Sequence, residues 1–225
     1  MAHKILLTLL LQLTVAFSAF AQTDNVGEYL IQNSKRFLTV KGLELKPGLR
    51  MDDALKAFEA KGWERSKLFD IVKELNGVYA LKGTFYNRSD CNIMIMPTEN
   101  NQKIVGTIGI NLPNRDSFKD LKEEYDDLKS ALSDKYHMVS STESFDDKYL
   151  EESTSDLLKL TALSRDEAKF MTEFHLSENK QDDLLGYIRL TISHLKTDSQ
   201  ESFYVSIIYC TYDNLMEQVK AKDDL

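Results

Sequence analysis

Two amphipathic helical segments, each followed by three strand-like runs, set the strongest limits on how this chain can fold. The first segment covers about residues 52–62, and the second covers residues 116–136, where apolar residues recur at steps of three and four. The strand-like runs cover residues 78–86, 91–96 and 103–112 in the first half, and 170–176, 185–194 and 203–212 in the second. Strands joined by short or medium loops pair antiparallel. The sequence therefore predicts an α+β fold: antiparallel sheet or sheets with helices on one face.

The repeated order of one helix and three strands predicts a tandem architecture, although the two halves share no residue-level identity. One continuous sheet and two packed sheets both agree with it. The last strand-like run, residues 203–212, has apolar residues at both odd and even positions, and therefore on both faces of the strand. We expect this strand to be central in the sheet and covered on both sides. A short strand is predicted at residues 37–40. Residues 138–166 are rich in Ser, Asp and Glu with a short helix at 156–163, and residues 213–225 predict a polar helix.

Local signals mark where these helices begin and end. Asp52 or Asp53 can cap the first helix, and Gly62 is a natural residue to end it. Ser117 with Asp120 predicts a capping box at the start of the long helix.

Two further features indicate how the first half packs. Trp63, the only tryptophan, follows the first helix at once, so we expect it to close the gap between that helix and the sheet. Residues 87–90 form a polar turn, so the strands on either side of it predict a hairpin.

The N-terminus has the layout of a secretory signal peptide. Lys4 forms a short positive region, residues 5–17 are almost uninterruptedly apolar, and Ala19 and Ala21 form a small-x-small cleavage site before Gln22. The apolar run is shorter than the roughly 20 residues of a spanning helix. We therefore predict a signal peptide at residues 1–21, a flexible lead-in at 22–35 and a single α+β domain at 36–225, with halves 36–113 and 114–225. Such a chain is exported to the periplasm or the extracellular space.

Charge and composition argue against several function classes. The formal net charge is −8 and the Lys residues are interleaved with Asp and Glu, so the basic stripe that nucleic-acid binding needs is missing. No second apolar run reaches membrane length, so we expect no stable membrane insertion after signal cleavage. Apolar residues make up 42% of the chain, which is typical of a globular domain.

The chain has two cysteines, Cys91 and Cys210, each within a strand-like run. Export to an oxidising space permits a disulfide between them, and buried thiols suit the same positions. Both interpretations remain open from the sequence.

Histidines and carboxylates show no metal-ligand spacing. His175 and His194 fall on neighbouring predicted strands at different heights, so they cannot share a metal, and His137 follows the long helix. Acidic doublets such as Asp52–Asp53 and Asp126–Asp127 lack the alternation and the Gly of a calcium loop. We interpret them as caps and solvated turns, and we expect no metal.

No catalytic or phosphate-binding motif appears, so we predict no catalytic residues and no cofactor. Most aromatic residues fall on the apolar faces of the predicted elements. Tyr86, Tyr149 and Tyr204 are the candidates for an exposed recognition surface.

Two segments carry a resemblance to known proteins. FLTVKGLEL at residues 37–45 is followed by DALKAF at 53–58 and KGW at 61–63, and YDDLKSALSDKY covers residues 125–136. This pattern resembles uncharacterised secreted αβ proteins of Gram-negative gut anaerobes, and with the strands around it covers most of the mature chain. Family members usually have Gly after the last Tyr, where this chain has His137. The resemblance implies no activity and no site residues. The helix-then-strands order is also similar to that of β-lactamase inhibitor protein, in architecture alone.

We interpret the chain as an exported, non-catalytic protein-binding or inhibitor-like module, which binds another exported protein through the sheet face that helices leave uncovered. A hydrolase is the main alternative. It would use Glu173 or Asp146 with a Tyr and needs two carboxylates within roughly 10 Å. A small-ligand carrier is the third, and it needs an apolar cavity between helices and sheet.

Overall fold

The computed structural model describes residues 36–67, 69–146, 154–178, 185–196 and 201–223. All of them belong to one compact unit that begins at Arg36. The predicted signal peptide, the predicted lead-in and Tyr149 lie outside the described residues.

Helices and strands are interspersed along the described part of the chain. In chain order, they are β1 Thr39–Val40, β2 Leu43–Glu44, α1 Met51–Glu59, β3 Glu64–Arg65, α2 Phe69–Asn76, β4 Tyr79–Phe85, β5 Arg88–Pro97, β6 Val105–Asn111, α3 Phe118–Ser133, β7 His137–Phe145, α4 Asp156–Ser164, β8 Ala168–His175, β9 Gly186–Lys196, β10 Glu201–Thr211 and α5 Tyr212–Asp223.

Strands β3 to β10 form one antiparallel sheet in the order β3-β4-β5-β6-β10-β9-β8-β7, and β1 pairs with β2 separately. The predicted α+β class with antiparallel strands is confirmed, and of the two sheet arrangements left open the continuous one is observed. Each half runs helix, strand, helix, three strands. The last strands of the halves, β6 and β10, pair at the centre, where Ile110 is opposite Ile207. The predicted central position of the last strand is also confirmed.

The sequence prediction missed α2, β7 and the two-residue strands β2 and β3. Strand β7 lies at the edge of the sheet, and most of its residues are exposed. An edge strand buries few side chains, so it lacks the alternating apolar pattern from which the inner strands were predicted. This strand and α4 account for much of the polar stretch at residues 138–166, and the predicted short helix there is confirmed as α4.

The helix starts differ in part from the predicted caps. Helix α1 begins at Met51, and Arg50 at its N-cap makes no side-chain capping bond, so the prediction of Asp52 or Asp53 as the cap is wrong. Both acids lie in the first turn instead. At α3, Ser117 Oγ accepts a hydrogen bond from the Asp120 amide at 3.3 Å, as predicted.

A carboxylate from another helix also binds at the start of α3. Ser117 Oγ donates to Asp156 Oδ2 at 2.6 Å, and the Lys119 amide also donates to that oxygen at 3.3 Å. The bond from Ser117 holds the pKa of Asp156 below its ordinary value. Asp156, the first residue of α4, therefore accepts from the Ser117 hydroxyl and the Lys119 amide, whereas the predicted capping box would have Asp120 accept from the Ser117 amide.

The predicted hairpin is confirmed as β4 and β5, and its turn is shorter than residues 87–90. Only Tyr86 and Asn87 connect the strands, with φ of 45° and 60°. Two central residues of positive φ are what a type I′ turn requires, because its twist matches that of the strands.

Helices α1 to α4 pack against one face of the sheet, which we call the covered face. From α1, Asp52 Oδ1 accepts a hydrogen bond from the Tyr79 hydroxyl at 2.6 Å. In the second half, the hydroxyl groups of Tyr125 on α3 and Thr172 on β8 are 2.6 Å apart and both residues are buried. The rings of Phe118, Phe145 and Phe170 pack edge to face with centroids 5.2 to 5.5 Å apart.

Trp63 fills the space predicted for it between α1 and the sheet. It is buried, and its ring packs edge to face on Phe58 of α1 with centroids 6.0 Å apart. On the other side it lies against Gly83 of β4, where an added Cβ would come within 2.6 Å of ring atom Cδ2. The absence of a side chain at Gly83 is therefore what makes room for the indole.

We predict that Gly83→Ala lowers the free energy of unfolding by about 1–3 kcal/mol, because the methyl group overlaps the buried Trp63 ring. Gly109→Ala is the matched control, since its Cβ would meet only Met96 Cε at an ordinary 3.7 Å. The control should change stability by less than about 1 kcal/mol, in the direction of greater stability. Urea unfolding of both variants measures the difference. Equal losses would contradict the assigned role of Trp63.

Candidate functional site

The face opposite the covered face is the candidate site, and we call it the uncovered face. Its residues are known from the strand register, because residues directly opposite each other in antiparallel strands point to the same side. One row across it consists of Ala80, Met94, Gly109, Ile208, Arg189 and Glu173. In the described part of the chain, α5 is the helix that contacts this face.

The centre of the uncovered face is apolar. Met94 is 37% exposed, Ile208 is half-buried, and Gly109 lies between them without a side chain. Gly109 is itself buried, and Met96 Cε lies 3.7 Å from the position that a Cβ on Gly109 would take. The adjacent row is polar, and in it Ser206 Oγ donates to Asn111 Oδ1 at 2.8 Å.

One side of the uncovered face carries a charged cluster. Arg189 Nη2 donates to Glu173 Oε2 at 3.0 Å, and His175 Nε2 lies 3.4 Å from the other oxygen of that carboxylate. The Arg189 guanidinium also lies over the Tyr187 ring, 5.1 Å from its centroid. These contacts hold the charges in place beside the apolar centre.

Helix α5 limits the uncovered face at one end. Asn214 in its first turn donates to Thr107 Oγ1 at 3.3 Å and to Cys210 Sγ at 3.2 Å. Two carboxylates fix the helix there. Asp213 accepts from the Gly48 amide at 2.8 Å, and Glu217 accepts from the Glu99 amide at 2.8 Å.

The uncovered face continues into a surface cleft where β8 and β9 separate. Their register runs from His175 opposite Tyr187 to Met171 opposite Thr191 and ends there, although β9 continues to Lys196. The cleft has a volume of about 440 Å³, and Lys169, Ser193 and His194 are among the residues that line it.

The three predicted recognition tyrosines are not brought together. Tyr204 lies on the uncovered face beside Ser193, half-buried, and burial raises the pKa of its hydroxyl. Tyr86 is 44% exposed in the β4–β5 turn, separated from β10 by β5 and β6. Tyr149 is outside the described residues. The sequence missed Met94, Ile208 and Arg189, because strand register decides which residues share a row.

The cysteines are separate free thiols, both buried. Cys91 is on β5 and Cys210 on β10, with β6 between them. Two strand spacings amount to about 10 Å, and a disulfide needs Cα atoms within about 7 Å of each other. The bridge that the sequence left open is therefore not formed in this structure. Burial raises the pKa of both thiols.

The histidines occupy different surfaces. His175 lies on the uncovered face, whereas the strand register places His194 on the opposite face. The His194 ring centroid is 6.3 Å from that of Phe203. The predicted separation of these two is confirmed. His137 is directly opposite His175, a pairing that the sequence missed together with β7. Within the described ranges, no three His, Cys, Asp or Glu residues are grouped as a metal site would require.

The carboxylates named for the hydrolase alternative are on different parts of the sheet. Both oxygens of Glu173 face cationic or histidine partners on the uncovered face, as described above. Asp146 follows the end of β7, where its amide donates to the Glu167 carbonyl oxygen at 3.0 Å. The strand register places Glu173 opposite Ser140, near the start of β7, whereas Asp146 follows Phe145 at the end of that strand. Most of the length of β7 therefore separates the two carboxylates.

A buried carboxylate connects the two halves behind the candidate site. Glu124 on α3 is 4% exposed, and its Oε1 accepts from Arg88 Nε of β5 at 3.1 Å and from Arg115 Nη2. Arg88 Nη2 also lies 3.5 Å from Asp127 Oδ2. One carboxylate thus holds two guanidinium groups from different segments of the chain.

No family model, curated protein or solved structure matches this chain. Among the helices described, none has both the length and the apolar character needed to span a membrane. Function must therefore be argued from the chain's own geometry.

We predict that Glu124→Gln lowers the free energy of unfolding by about 1–3 kcal/mol, because it leaves two arginines facing each other without the carboxylate between them. Glu123→Gln makes the same chemical change at the neighbouring exposed position and should cost less than about 0.5 kcal/mol. Thermal and urea unfolding measure both. A loss at Glu123 as large as that at Glu124 would contradict the assigned role of the buried carboxylate.

Proposed function

We propose that this chain is an exported, non-catalytic protein-binding module, whose binding surface is the uncovered face. The observation that carries the proposal is the one-sided packing: α1 to α4 lie on the covered face, while the opposite face presents Met94 and Ile208 to solvent. An exposed apolar patch with a polar margin is typical of protein-interaction sites.

The composition of the uncovered face supports a protein partner over a small substrate. The apolar centre at Met94 and Ile208 lies on an open strand surface, so it suits the surface of a partner protein rather than an enclosed ligand. Tyr204 and Arg189 are residue types enriched at interface hot spots, and both lie on this face. The ion pair between Arg189 and Glu173 gives the margin both signs of charge, which can select for orientation.

The resemblance in architecture to β-lactamase inhibitor protein favours an inhibitor-like or accessory role for the module. Within this proposal the partner is another exported protein. Neither nucleic acid nor stable membrane insertion is part of it.

We predict that a photo-crosslinking residue placed at Ile208 captures one discrete partner from the exported protein fraction of the source cells. The same residue placed at Glu123, exposed on α3, is the matched control and should capture none. Unlabelled wild-type protein should compete with the adduct, and unlabelled Ile208→Asp should not, because a charge in the apolar centre opposes docking.

Thermal unfolding of the Ile208→Asp variant tests whether it is folded. Equal adducts from both positions, or none from position 208, would refute binding through the uncovered face.

Export is proposed from the signal peptide pattern, and it has its own measurement. We predict that the protein recovered from the periplasm or medium begins at Gln22, because signal peptidase cleaves after the small residue Ala21. Intact-mass spectrometry and N-terminal sequencing determine the first residue. Recovery of the protein with Met1 still attached would contradict this part of the proposal.

A further inference from the structure

The two edges of the sheet differ in length and protection. Strand β3 has two residues, Glu64 and Arg65, both exposed and charged. Strand β7 at the other edge has nine residues, HMVSSTESF, with no Lys, Arg or Pro among them. Charged side chains, prolines and short length are the usual means by which edge strands avoid pairing with other chains. Strand β3 is short and charged over its whole length, whereas the longer β7 has one acidic residue, Glu143, and a bulge near its start.

Exposed apolar side chains also mark β7. Met138 is 42% exposed and Val139 is 50% exposed at the start of the strand. A bulge lies between Met138 and Ser140, and from there the register with β8 is regular to Phe145. Residues 140–145 therefore form a straight stretch, with no strand on their outer side among the described residues.

We propose that β7 is a self-association edge, on which two copies of this chain pair their β7 strands antiparallel across a two-fold axis at Thr142. A second copy is the occupant that fits best, because two identical edges paired antiparallel always offer matching donors and acceptors. This pairing would extend the sheet continuously from one copy into the other.

The side to which each β7 side chain points limits the register of the pairing. Ser141 and Glu143 contact Lys129 of α3, so they belong to the covered face. Ser140, Thr142 and Ser144 therefore point to the other side. Pairing must keep like faces together, as an axis through any one residue of β7 does, and an axis at Thr142 also places Glu143 opposite Ser141 of the partner subunit rather than opposite its own copy. It places Thr142 against its own copy and Ser140 against Ser144 of the partner subunit, and cross-strand Thr–Thr and Ser–Ser pairs are favourable.

Charge does not oppose this pairing. Glu143 is the one acidic residue in β7, and its carboxylate is bound by Lys129 Nζ at 2.5 Å and by Lys122 Nζ at 3.2 Å. Burial raises the pKa of Glu143, but the two lysine hydrogen bonds outweigh it and hold the pKa below its ordinary value. The two edges therefore meet without an uncompensated charge of the same sign.

Sedimentation velocity of the purified protein over a range of concentrations tests the proposal. We expect the weight-average mass to rise toward that of a dimer at high concentration, since a single strand pair makes a small interface of the transient class, below about 1,200 Å². A monomer at every concentration up to the solubility limit would overturn the proposal.

Substitution at the axis tests the register. Thr142→Lys should weaken association about fivefold at low salt, because it places two ammonium groups opposite each other. Thr84→Lys on β4 adds the same charge at an exposed strand position far from β7 and should leave association unchanged. Thermal unfolding confirms that both variants are folded.

A mixture of two variants gives the sharpest result. Thr142→Glu alone should associate as weakly as Thr142→Lys, and the equimolar mixture should recover at least the wild-type association, because opposite charges then meet at the axis. A dimer unaffected by Thr142→Lys, or a mixture no stronger than its components, would overturn the pairing at Thr142. Neither result bears on binding through the uncovered face, which the crosslinking at position 208 tests separately.

Discussion

The pairing of β6 with β10 is the contact on which the rest of the fold depends. It joins the last strand of each half, with Ile110 opposite Ile207 and Ile108 opposite Tyr209, and all four side chains are buried. Without it, each half would expose an inner strand with a row of unpaired backbone groups, which is a strong template for aggregation. The β6–β10 pair joins two small sheets into one, and the less apolar strands β3 and β7 are the two edges of that sheet.

Coverage of only one face follows from how the helices connect to this sheet. Of the two arginines that bind Glu124, Arg88 is on β5, so α3 of the second half is tied to a strand of the first half. The same helix reaches β8 through Tyr125 and Thr172. Helix α3 therefore packs on β8, β9 and β10 on the covered face and is tied to β5 across the join by the Arg88–Glu124 ion pair, and the opposite face receives α5 only at one end.

Much of the fold could be predicted because its signals are local. The hairpin of β4 and β5, the Ser117 cap and the apolar stripe of α3 each depend on residues a few positions apart. The site depends on contacts between distant segments. Met94 and Ile208 become neighbours across Gly109 only through the β6–β10 register, which no local pattern specifies. Glu124 did leave a signal: it lies three residues after Leu121 and four before Leu128, on the apolar side of α3.

The unequal edges give the two proposals a physical connection. A two-fold axis perpendicular to the sheet at Thr142 keeps the covered faces of both copies on one side and the uncovered faces on the other. A dimer built on β7 would therefore present two copies of the Met94–Ile208 centre in the same direction. When two binding surfaces on one particle engage partners that are themselves linked or clustered, the second contact forms at a raised effective concentration. A weak edge pairing could thus strengthen binding on the uncovered face without any contact of its own with the partner.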